Sequence, residues 1–346
     1  MYNKLMDHEN KNNYISYWIL LITFLVAAMI VIGGLTRLTD SGLSITNWNL
    51  FTGILPPTNL EKWQYLFSLY KQIPEYKLLN SSMTLNEFKV IFWWEYMHRL
   101  LGRLVGLFFL IPLIYFSFKK LLNYKELFYF YFIFLLIWVQ GFIGWYMVQS
   151  GLSERTDVSH YRLSLHLSIA FIIFCLLVLS FLRLNNNTFL EKRKSLPINL
   201  PYIFIFLVLF EIALGAFVSG LDAGQIYQTW PFMNGNYFPD DSKINDFLNL
   251  EFLNSPSIVQ FLHRNIAYFI LIIFSFILFF IYRDNSFNYL KKSTLLVLFA
   301  LLLQIFSGIL TVLSGAKIYI ASLHQIGSIF LITSSLILAF KNSKIN

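Results

Sequence analysis

The chain has 346 residues, of which 57% are hydrophobic and only 13% are charged. Soluble domains carry about a quarter charged residues, so a water-soluble fold is excluded for most of this chain. The formal charge of +8 at pH 7 could suggest a nucleic-acid partner, but that requires basic residues clustered on one face of a soluble fold. Here Lys and Arg stand mostly in short segments between apolar runs. We therefore expect a lipid bilayer, and no nucleic acid, around the chain.

Eight apolar runs are long enough to cross a membrane as helices, which takes about 20 residues. In chain order they are Tyr14–Leu35, Ile91–Phe118, Glu126–Gln149, Leu163–Leu184, Pro201–Gly220, Ile258–Tyr282, Thr294–Leu313 and Ile318–Phe340. Long polar segments, Thr36–Val90 and Leu221–Ser257, follow the first and the fifth run. The pattern predicts an all-α integral membrane protein with eight transmembrane helices.

The distribution of basic residues predicts the orientation of these helices. Short cytoplasmic loops of membrane proteins are enriched in Lys and Arg. Basic residues here occupy both tails and the loops after the second, fourth and sixth run, whereas the opposite short loops hold only Arg155, Arg162 and Lys317. We expect both termini in the cytoplasm and the protein in the cell inner membrane, or in the mitochondrial inner membrane if the source is eukaryotic.

The two halves of the sequence repeat each other in the same order, with Gly and polar residues at matching positions. The aligned segments are Gly33–Gly42 with Gly215–Gly224, Glu95–Arg99 with Gln260–Arg264, Gln140–Gly151 with Gln304–Gly315, and Tyr161–His166 with Tyr319–His324. Both halves begin on the same side of the membrane, so this is a parallel repeat about an axis along the membrane normal. We predict two pseudo-symmetric four-helix bundles, residues 1–190 and residues 191–346.

Four of the six histidines lie inside apolar runs, at positions that the repeat aligns. They are His98, His166, His263 and His324. Ionisable side chains at membrane depth are costly and usually functional, although a single such histidine could equally be a packing residue. His8 lies in the polar tail, where we expect no specific role, and His160 lies near the outer surface, where we expect a solvated side chain.

Two facing imidazoles inside a helix bundle can bind haem iron axially. Within each half, the two histidines come from the second and fourth helices and lie at similar depth. The pattern therefore predicts one porphyrin site per half, His98 with His166 and His263 with His324. A zinc or copper site is the weaker alternative, because no thiolate or carboxylate ligands stand in matched positions.

The halves differ at one position beside these histidines. Glu95 precedes His98 by three residues, so both lie on one helix face, and the aligned residue in the second half is Gln260. A carboxylate beside one porphyrin and an amide beside the other suggest chemistry in the first half and a permanent cofactor in the second. In the alternative interpretation, Glu95 only pairs with Arg99 or Arg103.

Other residues near the histidines have weaker patterns. Arg99 and Arg264 follow histidines directly and could bind haem propionates or anchor the helices at the membrane interface. Four glycines in the apolar runs are expected to allow close approach of helices or of a flat ligand. They are Gly102, Gly106, Gly144 and Gly308.

Over nearly its whole length, the sequence resembles the haem A synthase family. The motifs that show this resemblance are RLTDSGLSITNW (Arg37–Trp48), EFKVIFWWEYMHRLLGR (Glu87–Arg103), YRLSLHL (Tyr161–Leu167), TWPFMNG (Thr229–Gly235) and QFLHRNIAY (Gln260–Tyr268). The resemblance implies an oxidoreductase that converts the C8 methyl group of haem O into the formyl group of haem A, through a hydroxymethyl intermediate. It also implies eight helices in two pseudo-symmetric bundles, and it leaves the source of the inserted oxygen open.

The resemblance also assigns roles to residues. It implies that His263 and His324 bind a resident haem b, that His98 and His166 flank the substrate haem O, and that Glu95 is catalytic. Some bacterial members have a cysteine pair in an outer loop, whereas this chain has a single cysteine and resembles the type without the pair.

Two other classes of function stay as alternatives. A non-catalytic di-haem b electron carrier would use the same four histidines. A transporter would also have repeated halves, but its charged or broken helices should lie near the bilayer midplane. For the enzyme, pathway logic suggests haem O synthase and oxidase assembly factors as partners, and the sequence leaves the oligomeric state open.

Overall fold

The computed structural model describes residues 2–47, 52–153, 155–185, 194–249 and 251–343. This part of the chain contains ten α-helices and no strand. The helices are α1 Tyr2–Leu38, α2 Leu60–Tyr70, α3 Pro74–Leu78, α4 Leu85–Phe118, α5 Tyr124–Ser153, α6 His160–Leu184, α7 Leu200–Gly220, α8 Pro256–Arg283, α9 Lys291–Leu313 and α10 Ile318–Asn342. Short 3-10 turns connect several of them.

Eight of the helices are long and apolar enough to span a membrane, as the sequence predicts. They are α1 and α4 to α10, with the spanning part of α1 beginning at Asn13 and that of α9 including the preceding turn from Asn285. The all-α integral membrane class is thereby confirmed. The pseudo-symmetric arrangement of two bundles stays a prediction.

Capping side chains explain where several helices begin. Thr84 and Glu87 form a reciprocal capping box, which starts α4 six residues before the predicted Ile91. Ser255 caps α8, and Pro256 occupies its first position, where its missing N–H is harmless.

Residues 24–173 form one compact unit, and residues 1–23 together with 174–346 form the other. This division falls within α1 and within α6, whereas the predicted boundary lies after residue 190. Within the first unit α4 packs along α5, and within the second α7 packs against α8 and α10 while α9 packs along α10. The functional division into residues 1–190 and 191–346 stays a prediction.

The long segment between α1 and α4 is more ordered than its polar sequence indicates. It contains α2 and α3, which pack aromatic side chains against the beginning of α4. The buried residues include Trp63, Phe67, Tyr70, Phe88 and Phe92. This aromatic cluster fixes the beginning of the helix that contains Glu95 and His98.

The chain leaves α1 and α7 through the same backbone turn. The two helices end at aligned residues, Leu38 and Gly220, and the aligned aspartates Asp40 and Asp222 follow with φ of 48° and 49°. Asp is one of the few residues with a side chain that tolerates this left-handed conformation. The repeat in sequence is therefore also a repeat in local backbone structure.

Candidate functional site

The second unit places two of the intramembrane histidines next to each other, with their rings edge to face. His263 on α8 and His324 on α10 have ring centres 6.4 Å apart and ring planes at 86°. Two axial metal–imidazole bonds of about 2 Å, with roughly 1 Å more to each ring centre, separate the rings by about 6 Å. The pair therefore has the spacing of two axial ligands on one iron atom.

Backbone and hydroxyl groups hold the ring of His324. Its Nδ1 lies 3.1 Å from the carbonyl oxygen of Gln304 and 3.1 Å from Ser307 Oγ. Donation from Nδ1–H to that carbonyl leaves the lone pair of Nε2 for a metal, which is the usual arrangement of a ligating histidine. The side-chain amide of Gln304 lies 3.4 Å from Nε2.

A carboxylate that the sequence pattern did not bring out lies beside the ring of His263. Glu211 Oε1 on α7 lies 3.0 Å from His263 Nδ1, and the side chains are 15% and 23% exposed. The signal was present in the sequence, because Glu211 is an acidic residue within the fifth apolar run. Such residues at membrane depth mark functional sites.

The first unit contains the other pair. His98 on α4 and His166 on α6 are both half-buried. Gln140 on α5 donates from Nε2 to the carbonyl of His166 at 2.9 Å. Gln140 aligns with Gln304, so each half places a glutamine of its third long helix beside the histidine of its fourth.

Each of the four rings packs directly on a glycine of a neighbouring helix. A Cβ at Gly33 would lie 3.0 Å from His98 Nε2, and one at Gly144 would lie 2.9 Å from His166 Cε1. The aligned contacts are Gly215 at 3.3 Å from His263 Cε1 and Gly308 at 2.9 Å from His324 Cε1.

The glycine contacts can be compared with the four glycines at which the sequence predicts close approach. Gly144 and Gly308 are in tight contact, as expected, and Gly33 and Gly215 were missed. Gly102 has only an ordinary contact with Met29, and Gly106 faces open space. Neither makes a tight helix contact, and close approach of a flat ligand at these two stays a prediction.

The arrangement of side chains suits a haem. Among the described residues, no group of three or more His, Cys, Asp or Glu side chains is placed to hold a metal ion. A haem supplies four nitrogens itself and needs only the two axial imidazoles. The four rings are half-buried, and the glycines beside them let each ring lie close to a neighbouring helix.

Glu95 is almost completely buried, with 2% exposed, and its carboxylate accepts four hydrogen bonds. Ser44 Oγ and the backbone N–H of Ile45 each donate to Oε2 at 2.7 Å. Arg99 donates to Oε1 from Nε at 3.0 Å and from Nη2 at 2.5 Å. The predicted pairing with Arg99 is therefore present, whereas Arg103 donates to the carbonyl of Arg99.

The two arginines that follow histidines make the same contact in both halves. Arg99 Nη2 donates to the carbonyl of Ile45, and Arg264 Nη2 donates to the carbonyl of Tyr227, both at 2.9 Å. Ile45 and Tyr227 are aligned in the repeat. Each arginine thus fastens the loop after α1 or α7 to the helix that bears a histidine, and their binding to haem propionates stays a prediction.

The remaining histidines lie outside these pairs. His160 is only 5% exposed and packs its ring against Tyr161 at 4.4 Å, so the expectation of a solvated side chain is wrong. It begins α6, where the neighbouring segments cover it. The side chain of His8 lies outside the described residues.

The sequence also matches a known protein family. A family model described as cytochrome oxidase assembly protein matches residues 16–336. This chain belongs to the cytochrome oxidase assembly protein family.

Individual members of the family are similar to the chain over almost their full length. A protein named haem A synthase from Pelagibacter ubique is 51% identical over 340 residues, covering 96% of this chain and 99% of that protein. Haem A synthases from Rickettsia felis and Rickettsia bellii are 42% and 43% identical, covering 93% and 91% of this chain and 96% and 94% of theirs.

The matched region of the cytochrome oxidase assembly protein family includes both histidine pairs. It also includes Glu95 and Glu211, six of the candidate spanning helices in full and most of the first and the last. The family assignment therefore covers the entire candidate site.

Proposed function

We propose that this chain is a haem A synthase, a membrane oxidoreductase that oxidises the C8 methyl group of haem O to a formyl group. The product, haem A, serves terminal oxidases. The similarity to proteins named haem A synthase supports this activity. The observation that carries the proposal is the presence of two repeat-related histidine pairs, each ring packed on a glycine.

The two pairs would bind haem for different purposes. His263 and His324 would ligate a resident haem b, whose iron supplies one-electron redox chemistry when bound. His98 and His166 would flank the iron of haem O, the substrate. The spacing of His263 and His324 suits a permanent cofactor, and so do the polar groups beside Nδ1 of each ring.

Glu95 would act on the substrate as a fixed negative charge. Its carboxylate accepts four hydrogen bonds, from Ser44, Ile45 and Arg99, which hold both oxygens in place. A preorganised charge of this kind can stabilise positive charge that develops at a neighbouring carbon during oxidation. Oxidation would occur twice at this carbon, through a hydroxymethyl intermediate.

Arg99 and Arg264 would support the two haems through the loops that they fasten. Arg99 would also orient Glu95, because it donates two hydrogen bonds to that carboxylate. We place direct propionate binding by these arginines second to this role.

The enzyme would lie in the cell inner membrane with both termini in the cytoplasm. Charged loops on that side and the bacterial source of the similar proteins support this location. Haem O synthase would supply the substrate, and oxidase assembly factors would receive the product.

The proposal is tested by expressing the chain together with a haem O synthase and analysing the haems extracted from membranes. We expect haem A together with some hydroxylated intermediate. Folded protein that accumulates haem O and forms neither product would contradict the proposal. Two non-exchanging b haems with no conversion would instead identify a di-haem electron carrier.

A further inference from the structure

Glu211 is an intramembrane acidic residue to which neither the proposed oxidation nor the haem ligation gives a role. It lies on α7 one helical turn before Gly215, so both residues are on the same helix face. Gly215 lets the ring of His263 approach the helix, and Glu211 Oε1 then lies 3.0 Å from Nδ1 of that ring. The helix thus presents a carboxylate to the side of the ring that faces away from Nε2.

We propose that Glu211 is a positioning residue that orients His263 and lowers the reduction potential of the resident haem. The inference rests on the proposed function, in which His263 is an axial ligand. A carboxylate on the outer nitrogen of a ligating histidine fixes the tautomer and raises the basicity of the ligand. Its negative charge also stabilises ferric iron more than ferrous iron, and so disfavours reduction.

The environments of the other three histidines show that this contact is specific to one ligand. His324 has a neutral partner on Nδ1, the carbonyl of Gln304. In the first half, the repeat pairs Gly33 with Gly215, and the residue one turn before Gly33 is Met29. Among the described residues, His263 alone of the four has a carboxylate within 4.0 Å of a ring nitrogen.

Packing of the histidine ring does not by itself explain why only His263 of the four has a carboxylate beside a ring nitrogen. Gly33 and Gly215 let a histidine approach in both halves, so the space beside the ring is provided twice. Only the second half adds a carboxylate one turn before that glycine, and a carboxylate is costly at membrane depth. Its presence beside the resident site alone points to an electronic function there.

The test is a redox titration of the purified holoprotein, followed optically, together with electron paramagnetic resonance of its ferric haem. The variants are Glu211→Gln, which removes the charge but keeps the shape, and Glu211→Asp, which keeps the charge. Met29→Gln is the matched control, because it places the same amide at the aligned position in the other half.

We expect Glu211→Gln to retain haem b with a higher midpoint potential and a shifted low-spin ferric signal. Glu211→Asp should lie between this variant and the wild type, and Met29→Gln should leave the haem b potential unchanged. Loss of haem b from Glu211→Gln with retention in Glu211→Asp also supports the proposal, since only the carboxylate differs.

Haem b with the wild-type potential and spectrum in Glu211→Gln would overturn the inference, and so would loss of haem b from both variants. These outcomes are separate from failure of the proposed function. That failure would appear in the wild-type protein, as the absence of a low-spin haem with two histidine ligands or of any haem A.

Discussion

Glu95 differs from its counterpart in the second half by a single chemical group, and its surroundings differ accordingly. The carboxylate of Glu95 accepts hydrogen bonds at both oxygens, whereas Gln260 donates from Nε2 to the carbonyl of Tyr227 at 3.1 Å. Both side chains are 2% exposed. Burial is therefore equal, and the charge is what distinguishes the two positions.

Replacing Glu95 by Ala should leave haem bound but lower haem A formation by about a hundredfold, the scale of losing one preorganised electrostatic group. Gln260→Ala makes a similar truncation in the other half and should lower formation much less. Haem extracted from the purified variants measures both quantities. Undiminished haem A in Glu95→Ala would contradict the catalytic assignment.

Glu75 shows a second kind of buried carboxyl, outside the membrane-spanning helices. It is 3% exposed and accepts hydrogen bonds from Tyr70 Oη at 3.0 Å and Asn80 Nδ2 at 3.3 Å. Burial raises the pKa of this carboxyl to about 8. The folded α2–α3 segment therefore prefers the protonated form, unlike the unfolded chain.

This preference predicts how the segment responds to pH. The folded state binds the proton more tightly, so its stability falls as pH rises from about 4.5 to about 8 and then levels off. Protection factors of the α2 and α3 amides, in which the intrinsic exchange rate at each pH is divided out, should be lower at pH 9 than at pH 6. Glu75→Gln should weaken this dependence, and an equal dependence in the variant would refute the assignment.

Helix packing at the histidines depends on residues without side chains. Gly144 lies on α5 against the ring of His166, and Gly308 lies on α9 against the ring of His324. A methyl group at either position would stand 2.9 Å from a ring carbon. Because that is too close for any Cβ, either the ring or the helix has to move.

Gly308→Ala should therefore reduce haem b retention, and Gly144→Ala should reduce retention of the substrate haem. Overpacking of this kind costs about 1–3 kcal/mol. Gly141→Ala is the matched control, because Gly141 is on the same helix as Gly144 and faces open space. Haem content per chain, measured by the pyridine haemochrome spectrum, tests the prediction, and equal content in all three variants would contradict it.

The elements that the sequence predicted well are those with a strong physical signal. Eight apolar runs predicted eight candidate spanning helices, since a membrane helix needs a long apolar segment and little else. The polar segment after α1 did not reveal α2 and α3, because short helices that pack through aromatic residues lack such a signal. His160 was misjudged for the same reason, since its burial depends on how neighbouring segments fold over it.

Contacts between distant residues were only partly predictable. The repeat aligned the four histidines and Glu95 with Gln260, but it gave no distances. The repeat identified residues that match between the halves. Glu211 was missed because its aligned residue in the first half, Met29, is not acidic. Ser44 and Ile45 were not foreseen as partners of Glu95, because about fifty residues of chain separate them from it.

At the scale of the whole molecule, duplication followed by divergence explains the site. Each half has a histidine on its second and fourth long helix, a glycine behind each ring, and an arginine that fastens the preceding loop. The shared parts suit porphyrin binding. The unshared parts have different proposed roles: Glu95 in the first half would serve the conversion of the substrate haem, and Glu211 in the second would orient a ligand of the resident haem and lower its reduction potential.

The most direct test of this division of labour is haem analysis of His98→Ala and His263→Ala, purified after expression with a haem O synthase. We expect His263→Ala to lose haem b while still containing haem O. We expect His98→Ala to keep haem b and to lose haem O, haem A and the hydroxylated intermediate. Equal loss of the same haem from both variants, with folded protein, would contradict the account.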